Sequence, residues 1–135
     1  MKSISELRII VEQELKKIEY PKNPASLYDP ITYIIGLKGK RMRSILLLMS
    51  HQLFDDNLKT AIPPALAIEI FHNFTLLHDD VMDKAPLRRG QKTVNEKWND
   101  NIAILSGDTM VVQSYQLMSN LNPNILKKVI HVFNK

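Results

Sequence analysis

The sequence predicts an all-α fold. Apolar residues recur at three- and four-residue intervals in one segment after another, no segment alternates convincingly with period two, and prolines stand at the edges of the periodic stretches. Ile4, Leu7, Val11, Leu15 and Ile18 form the first stripe, with Glu6, Glu12, Glu14, Lys16 and Lys17 between them, which predicts an amphipathic helix. Ser3 or Ser5 is placed to cap it, and Pro21 and Pro24 end it. Leu27 to Ile35 reads as a short helix or turn, broken by Pro30 and ended near Gly36. From Gly39 a segment runs through Arg41 and Arg43 into Ile45-Leu46-Leu47-Leu48-Met49, predicting a buried helix to about Phe54, and Asp55-Asp56-Asn57 is a polar turn.

Pro63 or Pro64 occupies the first turn of the next helix, where a missing N–H costs nothing. That helix is strongly apolar from Ala65 to Leu77 and runs to about Asp83. Lys84 to Lys92, with Pro86 and Gly90, reads as a loop, and a short amphipathic helix follows around Thr93 to Trp98. Ile102 to Leu121 reads as a long apolar helix. Pro123 starts a last one, marked by Ile125, Leu126, Val129, Ile130 and Phe133 and still running at Lys135.

Composition narrows the function. The 135 residues suffice for one domain with a real core, and 44% apolar with 24% charged residues is ordinary for a soluble globular protein. The net charge of +4 is scattered rather than blocked, which gives little support to nucleic-acid binding but suits a small anionic substrate. Without cysteine there are no disulfides or thiolate metal sites. The first twenty residues lack the apolar core of a signal peptide, and the longest apolar run, Ile45 to Met49, is far short of a membrane span. The expectation is a cytoplasmic chain with no membrane span.

The chemistry concentrates in His78-Asp79-Asp80-Val81-Met82-Asp83 and, close behind it, Leu87-Arg88-Arg89-Gly90. On a helix Asp79 and Asp83 share a face, their Cβ atoms about 6 Å apart, and two like charges there repel. At a helix C-terminus they also oppose the helix dipole, which favours cations. A hard divalent cation relieves both conflicts, and oxygen-only ligands suit Mg²⁺, which takes one or two carboxylates and completes its shell with phosphate oxygens. Asp80 points about 100° away around the helix, so a supporting role is expected for it. Arg88 and Arg89 offer planar forks for phosphate oxygens. The natural ligand of such a set is a diphosphate. Taken alone, the aspartates also fit a solvated helix end, and Lys40-Arg41-Met42-Arg43 an ordinary basic helix start.

Four blocks in order, Gly39-Lys40-Arg41-Met42-Arg43, Glu69-Ile70-Phe71-His72, His78–Asp83 with Leu87–Gly90, and Ala103-Ile104-Leu105-Ser106-Gly107-Asp108, give the chain a resemblance to the trans-prenyltransferases, or polyprenyl diphosphate synthases. It covers about Leu27 to Met118 and implies an isoprenoid-synthase-type helical bundle. It also implies a Mg²⁺-dependent condensation of isopentenyl diphosphate with an allylic diphosphate, and a homodimer. On the matching positions, Asp79 and Asp83 are the expected Mg²⁺ ligands, and Arg88 grips the allylic diphosphate. Lys40, Arg43, His72 and Arg89 hold the diphosphate of isopentenyl diphosphate. His78 is assigned to structure. A bulky residue five positions before the first aspartate tends to limit product length in this family, and Phe74 stands there, implying farnesyl or geranylgeranyl diphosphate. Helix geometry brings Phe71 and Thr75 nearer to the face of Asp79, so which aromatic forms the floor stays open, as does plain core packing of both.

The family's chains are more than twice this long, and a second aspartate-rich motif faces the first. Here only Asp100 and Asp108 follow Asp83, so the expectation is the N-terminal half of the fold, as one helical domain. Two other readings remain: a non-catalytic helical fragment or regulatory subunit, and an HD-type metal phosphohydrolase using His51, His78-Asp79 and Asp108.

Overall fold

Ser3 caps helix α1 (Ile4–Lys16) with a reciprocal capping box, its hydroxyl accepting from the Glu6 amide while the Glu6 carboxylate accepts from the Ser3 amide. In the computed structural model, which describes residues 1–135, six more helices follow. They are α2 (Ala25–Gly36), α3 (Met42–His51), α4 (Ile62–Met82), α5 (Val94–Lys97), α6 (Asp100–Ser119) and α7 (Pro123–Phe133), with a 3₁₀ turn at Leu58–Thr60. The all-α expectation therefore holds, and no helix is long and apolar enough to cross a membrane.

Helix α4 is the axis of the molecule. It packs most extensively against α6, with α3, α1 and α2 on its other sides. Small residues make the α4–α6 approach close: α6 buries Ala103, Ser106, Gly107, Met110, Ser114 and Met118, and a Cβ at Gly107 would collide with the His78 ring of α4. The main core gathers Ala65, Ile70 and Leu77 of α4 and Ala103 and Met110 of α6 with Leu7 and Val11 of α1, Ile31 and Ile34 of α2, and Ile45 and Leu48 of α3. A smaller cluster of Ala67, Met118 and Leu121 receives Leu126, Val129, Ile130 and Phe133 of α7.

Four boundaries differ from the sequence reading, one being that α7 ends at Phe133 rather than running on at Lys135. Pro30 lies inside α2 rather than breaking it, because Ile31, Ile34 and Ile35 beyond it are all buried. Their burial outweighs the roughly 3 kcal/mol that an interior proline costs. Helix α3 begins at Met42, not Gly39, since Arg41 sits in the left-handed region at φ 53°, and it ends at His51, leaving Phe54 90% exposed. The presumed loop after α4 contains a two-stranded antiparallel hairpin, β1 (Leu87–Arg88) and β2 (Gln91–Lys92), with Arg88 opposite Gln91. Its two-residue turn, Arg89 at φ 53° and Gly90 at φ 75°, has the positive φ pair of a type I′ turn, whose twist matches a hairpin.

Candidate functional site

The geometry starts from a buried charge. Arg41, whose side chain is 1% exposed, donates from Nε to Glu12 Oε1 at 2.8 Å and from Nη1 to Glu69 Oε1 at 3.2 Å. Its Nη2 donates to the Ile35 carbonyl at 2.6 Å and the Leu37 carbonyl at 3.3 Å. Glu69 is equally buried and also accepts from Ser44 Oγ at 2.9 Å. An ion pair held out of water survives only when its remaining donors and acceptors are filled, and here they are. Sequence reading placed Arg41 and Glu69 in the motif blocks without assigning them a task. The left-handed backbone of Arg41 turns its neighbours apart, so that Lys40 precedes α3 and Arg43 lies in its first turn.

Around that pair opens a cleft of about 590 Å³, lined by Arg8, Lys38, Lys40, Arg43, His72 and Arg89, with Arg41 and Glu69 in its wall. All four residues expected at the diphosphate of isopentenyl diphosphate thus come together. Arg43 Nη1 donates to His72 Nε2 at 3.1 Å, which requires a neutral ring with its proton on Nδ1. Burial, then the charge of Arg43, holds the His72 pKa below the usual histidine range, with Glu69 pulling weakly the other way. Arg89 reaches across from the hairpin turn to donate to the Leu37 carbonyl at 3.4 Å. Burial and the nearby Arg41 and Arg88 lower its pKa too, the sign of cations crowded together. Gly39 lets Arg89 lie there, for a Cβ at that position would stand 2.7 Å from Arg89 Nη1.

The C-terminal end of α4 carries the second part. Asp79 and Asp83 are exposed, and neither carboxylate has a hydrogen bond or ion pair within the chain. Asp80 is the opposite: it is 4% exposed and grips Arg88, accepting from Nε at 2.7 Å and Nη2 at 2.8 Å. That fork fixes the guanidinium and leaves Nη1 without a partner in the chain. Its hydrogen bond to Asp80 raises the Arg88 pKa further, and Asp79 and Asp83 add to the effect. Two free carboxylates one turn apart fit Mg²⁺, since they leave most of an octahedral shell to phosphate and water. No group of three or more metal-ligating side chains gathers anywhere in the chain.

The remaining candidates fall elsewhere. His78 Nε2 donates to the Ile104 carbonyl of α6 at 3.1 Å and stacks edge-on against Phe74 with ring centroids 4.7 Å apart, bracing α4 on α6. His51 Nε2 pairs with the Asn57 carbonyl at 3.0 Å. The phosphohydrolase arrangement is not assembled: His78 Nε2 lies 3.8 Å from Asp108, but no third metal-ligating side chain joins them, and His51 is turned to the Asn57 carbonyl. Arg8 was missed, and so was the Asp80–Arg88 fork, whose spacing spans a loop that periodicity does not describe.

Two expectations test this site. Replacing Glu69 by Ala leaves Arg41 buried with Glu12 as its sole acid, and we expect a loss of about 3–5 kcal/mol in urea unfolding. A loss under 1 kcal/mol would remove the pair from its central place. For His72, the folded pKa lies below the ordinary 6.5, so in that window the unfolded chain binds more protons and stability falls as pH falls. Substitution by Gln should flatten the decline in unfolding free energy below about pH 6.5; an unchanged profile contradicts the assignment.

Comparison with known proteins agrees with this geometry. Residues 24–135 match the family described as polyprenyl synthetase. The geranylgeranyl diphosphate synthase of Methanosarcina mazei is 37% identical over 114 residues, 83% of this chain and 35% of that one. The all-trans-nonaprenyl-diphosphate synthase (geranyl-diphosphate specific) of Rhodobacter capsulatus is 41% identical over 97 residues, 71% of this chain and 30% of that one. A crystal structure of a geranylgeranyl pyrophosphate synthase superposes with a TM-score of 0.95 at 44% identity, covering 99% of this chain and 41% of that one. This chain thus spans about a third of the length of the curated relatives it matches. With the motif blocks, the helical fold and these matches in agreement, the chain belongs to the polyprenyl synthetase family.

Proposed function

We propose that this chain carries the diphosphate-binding half of a Mg²⁺-dependent prenyltransferase that condenses isopentenyl diphosphate with an allylic diphosphate into a short-chain prenyl diphosphate. The observation that carries the reading is the pair of sites on one helix. A cleft rich in unpaired cations lies at His72, and two unpaired carboxylates lie at Asp79 and Asp83, about 10–17 Å further along α4. In this reading Lys40, Arg43, His72 and Arg89 hold the diphosphate of isopentenyl diphosphate. Asp79 and Asp83 hold Mg²⁺, which screens the charge that develops on the allylic diphosphate. Arg88, fixed by Asp80, directs its free Nη1 to the same group. The allylic C–O bond breaks with its electron pair leaving on pyrophosphate, the double bond of isopentenyl diphosphate forms the new C–C bond, and a proton is lost from the adduct. Fixed cations around the leaving group stabilise that charge without reorganisation.

A short product is supported by a wall of rings. Phe74 packs edge-on against Phe71, and Phe71 against Phe133, each pair with centroids 5.2 Å apart. They stand between Asp79 and an apolar groove of about 520 Å³ lined by Pro64, Ile68, Phe71, Val129 and Val132. A second reading, binding without turnover by the chain alone, is favoured by its covering 35% of a curated relative with no aspartate cluster after Asp83. We extend the proposal to a homodimer through α6, where Leu105 and Val112 are 54% and 57% exposed and border a groove with Pro24 and Leu27.

Calorimetric titration of geranyl diphosphate tests the first point. Binding should require Mg²⁺ and fall at least about tenfold in Asp79→Asn/Asp83→Asn, while Phe74→Ala should shift preference toward farnesyl diphosphate. Equal binding with a chelator, or in the double variant, would sink the metal-bridged reading. For the dimer, sedimentation of Leu105→Glu/Val112→Glu should give a monomer where the parent chain sediments as a dimer; a monomeric parent refutes it.

A further inference from the structure

One cation in the cleft comes from outside the stretch that matches the family. Arg8, on α1, precedes the residues 24–135 that match the family, yet it lines the same opening as Lys38, Lys40, Arg43 and Arg89. Its natural partner is Glu12, one turn along the same helix. That carboxylate is already taken: Glu12 Oε1 accepts from Arg41 Nε at 2.8 Å, and Arg8 has no hydrogen bond or ion pair in the chain. The cleft's one acidic lining residue, Glu69, is likewise held by Arg41 and Ser44. So five side-chain cations besides the paired Arg41 face one cavity, and neither nearby acid is free to balance them. Uncompensated like charges focused in a concave site attract a polyanion and destabilise the protein without it.

We propose that Arg8 is a further ligand of the diphosphate in this cleft, supplied by α1 and kept available because Arg41 holds Glu12 away from it. The proposal rests on the reading of the cleft as a diphosphate site. It makes α1 part of the binding machinery rather than only a packing element. The Glu12–Arg41 contact then has two effects, anchoring α1 against α2 and α3 and leaving the Arg8 guanidinium free. A guanidinium suits this task, since its planar fork takes two phosphate oxygens at once.

The probe is inorganic pyrophosphate, titrated calorimetrically in the presence of a chelator so that Asp79 and Asp83 take no part. Four proteins are compared: the parent chain, Arg8→Gln, Lys16→Gln on the outer side of α1 as control, and Lys40→Gln/Arg43→Gln. We expect Arg8→Gln to weaken binding about tenfold and to reduce its salt dependence, with Lys16→Gln unchanged and the double variant losing most binding. Thermal unfolding without pyrophosphate should be no lower for Arg8→Gln than for the parent, and slightly higher if the crowded charge is relieved, while the upward shift produced by pyrophosphate shrinks. If Arg8→Gln binds as the parent does while Lys40→Gln/Arg43→Gln fails, Arg8 is not a ligand and the cleft reading stands. If Arg8→Gln lowers the melting temperature without ligand as much as with it, its role is structural and the proposal falls. If the parent does not bind pyrophosphate, or no variant alters binding, the cleft reading falls and takes this proposal with it.

Discussion

Four helices meet on the guanidinium of Arg41. It joins Glu12 of α1 to Glu69 of α4, takes the Ile35 and Leu37 carbonyls at the end of α2, and itself forms the N-cap of α3. Carbonyls left unpaired where a helix stops are a favourable place for a cation. A charge this deeply buried is tolerated because four acceptors surround it, and the same demand fixes the relative positions of the elements that supply them. The strained backbone at φ 53° follows from that demand. To bring its side chain inward, Arg41 leaves the helical region, and Lys40 and Arg43 are set on the rim of the cleft. The site is thus a consequence of how one arginine is buried.

Helix α4 repeats this device. Glu69, Asn73 and Asp80 are buried on it, and each acid fixes an arginine from another segment, Arg41 for Glu69 and Arg88 for Asp80. Three residues on from Glu69 and Asp80, a rotation equivalent to about 60° around the helix, lie His72 and Asp83, and Asp79 shares their stripe within about 40°. One stripe of α4 organises the cations, and the neighbouring stripe is left accessible to ligands. The Glu-x-x-His and Asp-Asp-x-x-Asp spacings are therefore two readings of one geometry: a buried acid and, one helical turn away, an available group.

Much of this was legible in the sequence, because helices with a large apolar stripe announce themselves by period. The starts of α1, α4 and α7 follow from capping residues and prolines that act locally. What escaped has a common physical cause, tertiary contact overriding local preference. Pro30 stays helical since the isoleucines beyond it are buried. Helix α6 turns Ser106, Gly107 and Ser114 inward and leaves Leu105 and Val112 outside, the reverse of a hydropathy reading, because close approach to α4 rewards small residues more than apolar ones. The hairpin turn rests on Arg89, a residue that rarely adopts positive φ, held there by its reach to the Leu37 carbonyl. Arg8 carries no local signal at all: only the fold shows that its expected partner, Glu12, belongs to another arginine.

The charge arrangement makes the two ends of the site depend on each other. Cations crowd the His72 end of α4, and burial, with those charges adding to it, lowers the pKa values of His72 and Arg89. Carboxylates crowd the Asp79 end, where they raise that of Arg88. Each cluster carries a cost in the empty protein, and neither can relieve the other across about 10 Å of solvent-exposed helix surface at physiological ionic strength. A polyanion relieves the first cluster and a divalent cation the second. In the proposed reading, a diphosphate chelating a metal ion serves the second end and a metal-free diphosphate serves the first. Two chemically similar substrates are then told apart by whether their phosphates carry the metal, with no need for the protein to read their hydrocarbon tails at that point. In the same reading the tails meet the rings of Phe74 and Phe71, which stand on α4 on the N-terminal side of the carboxylates.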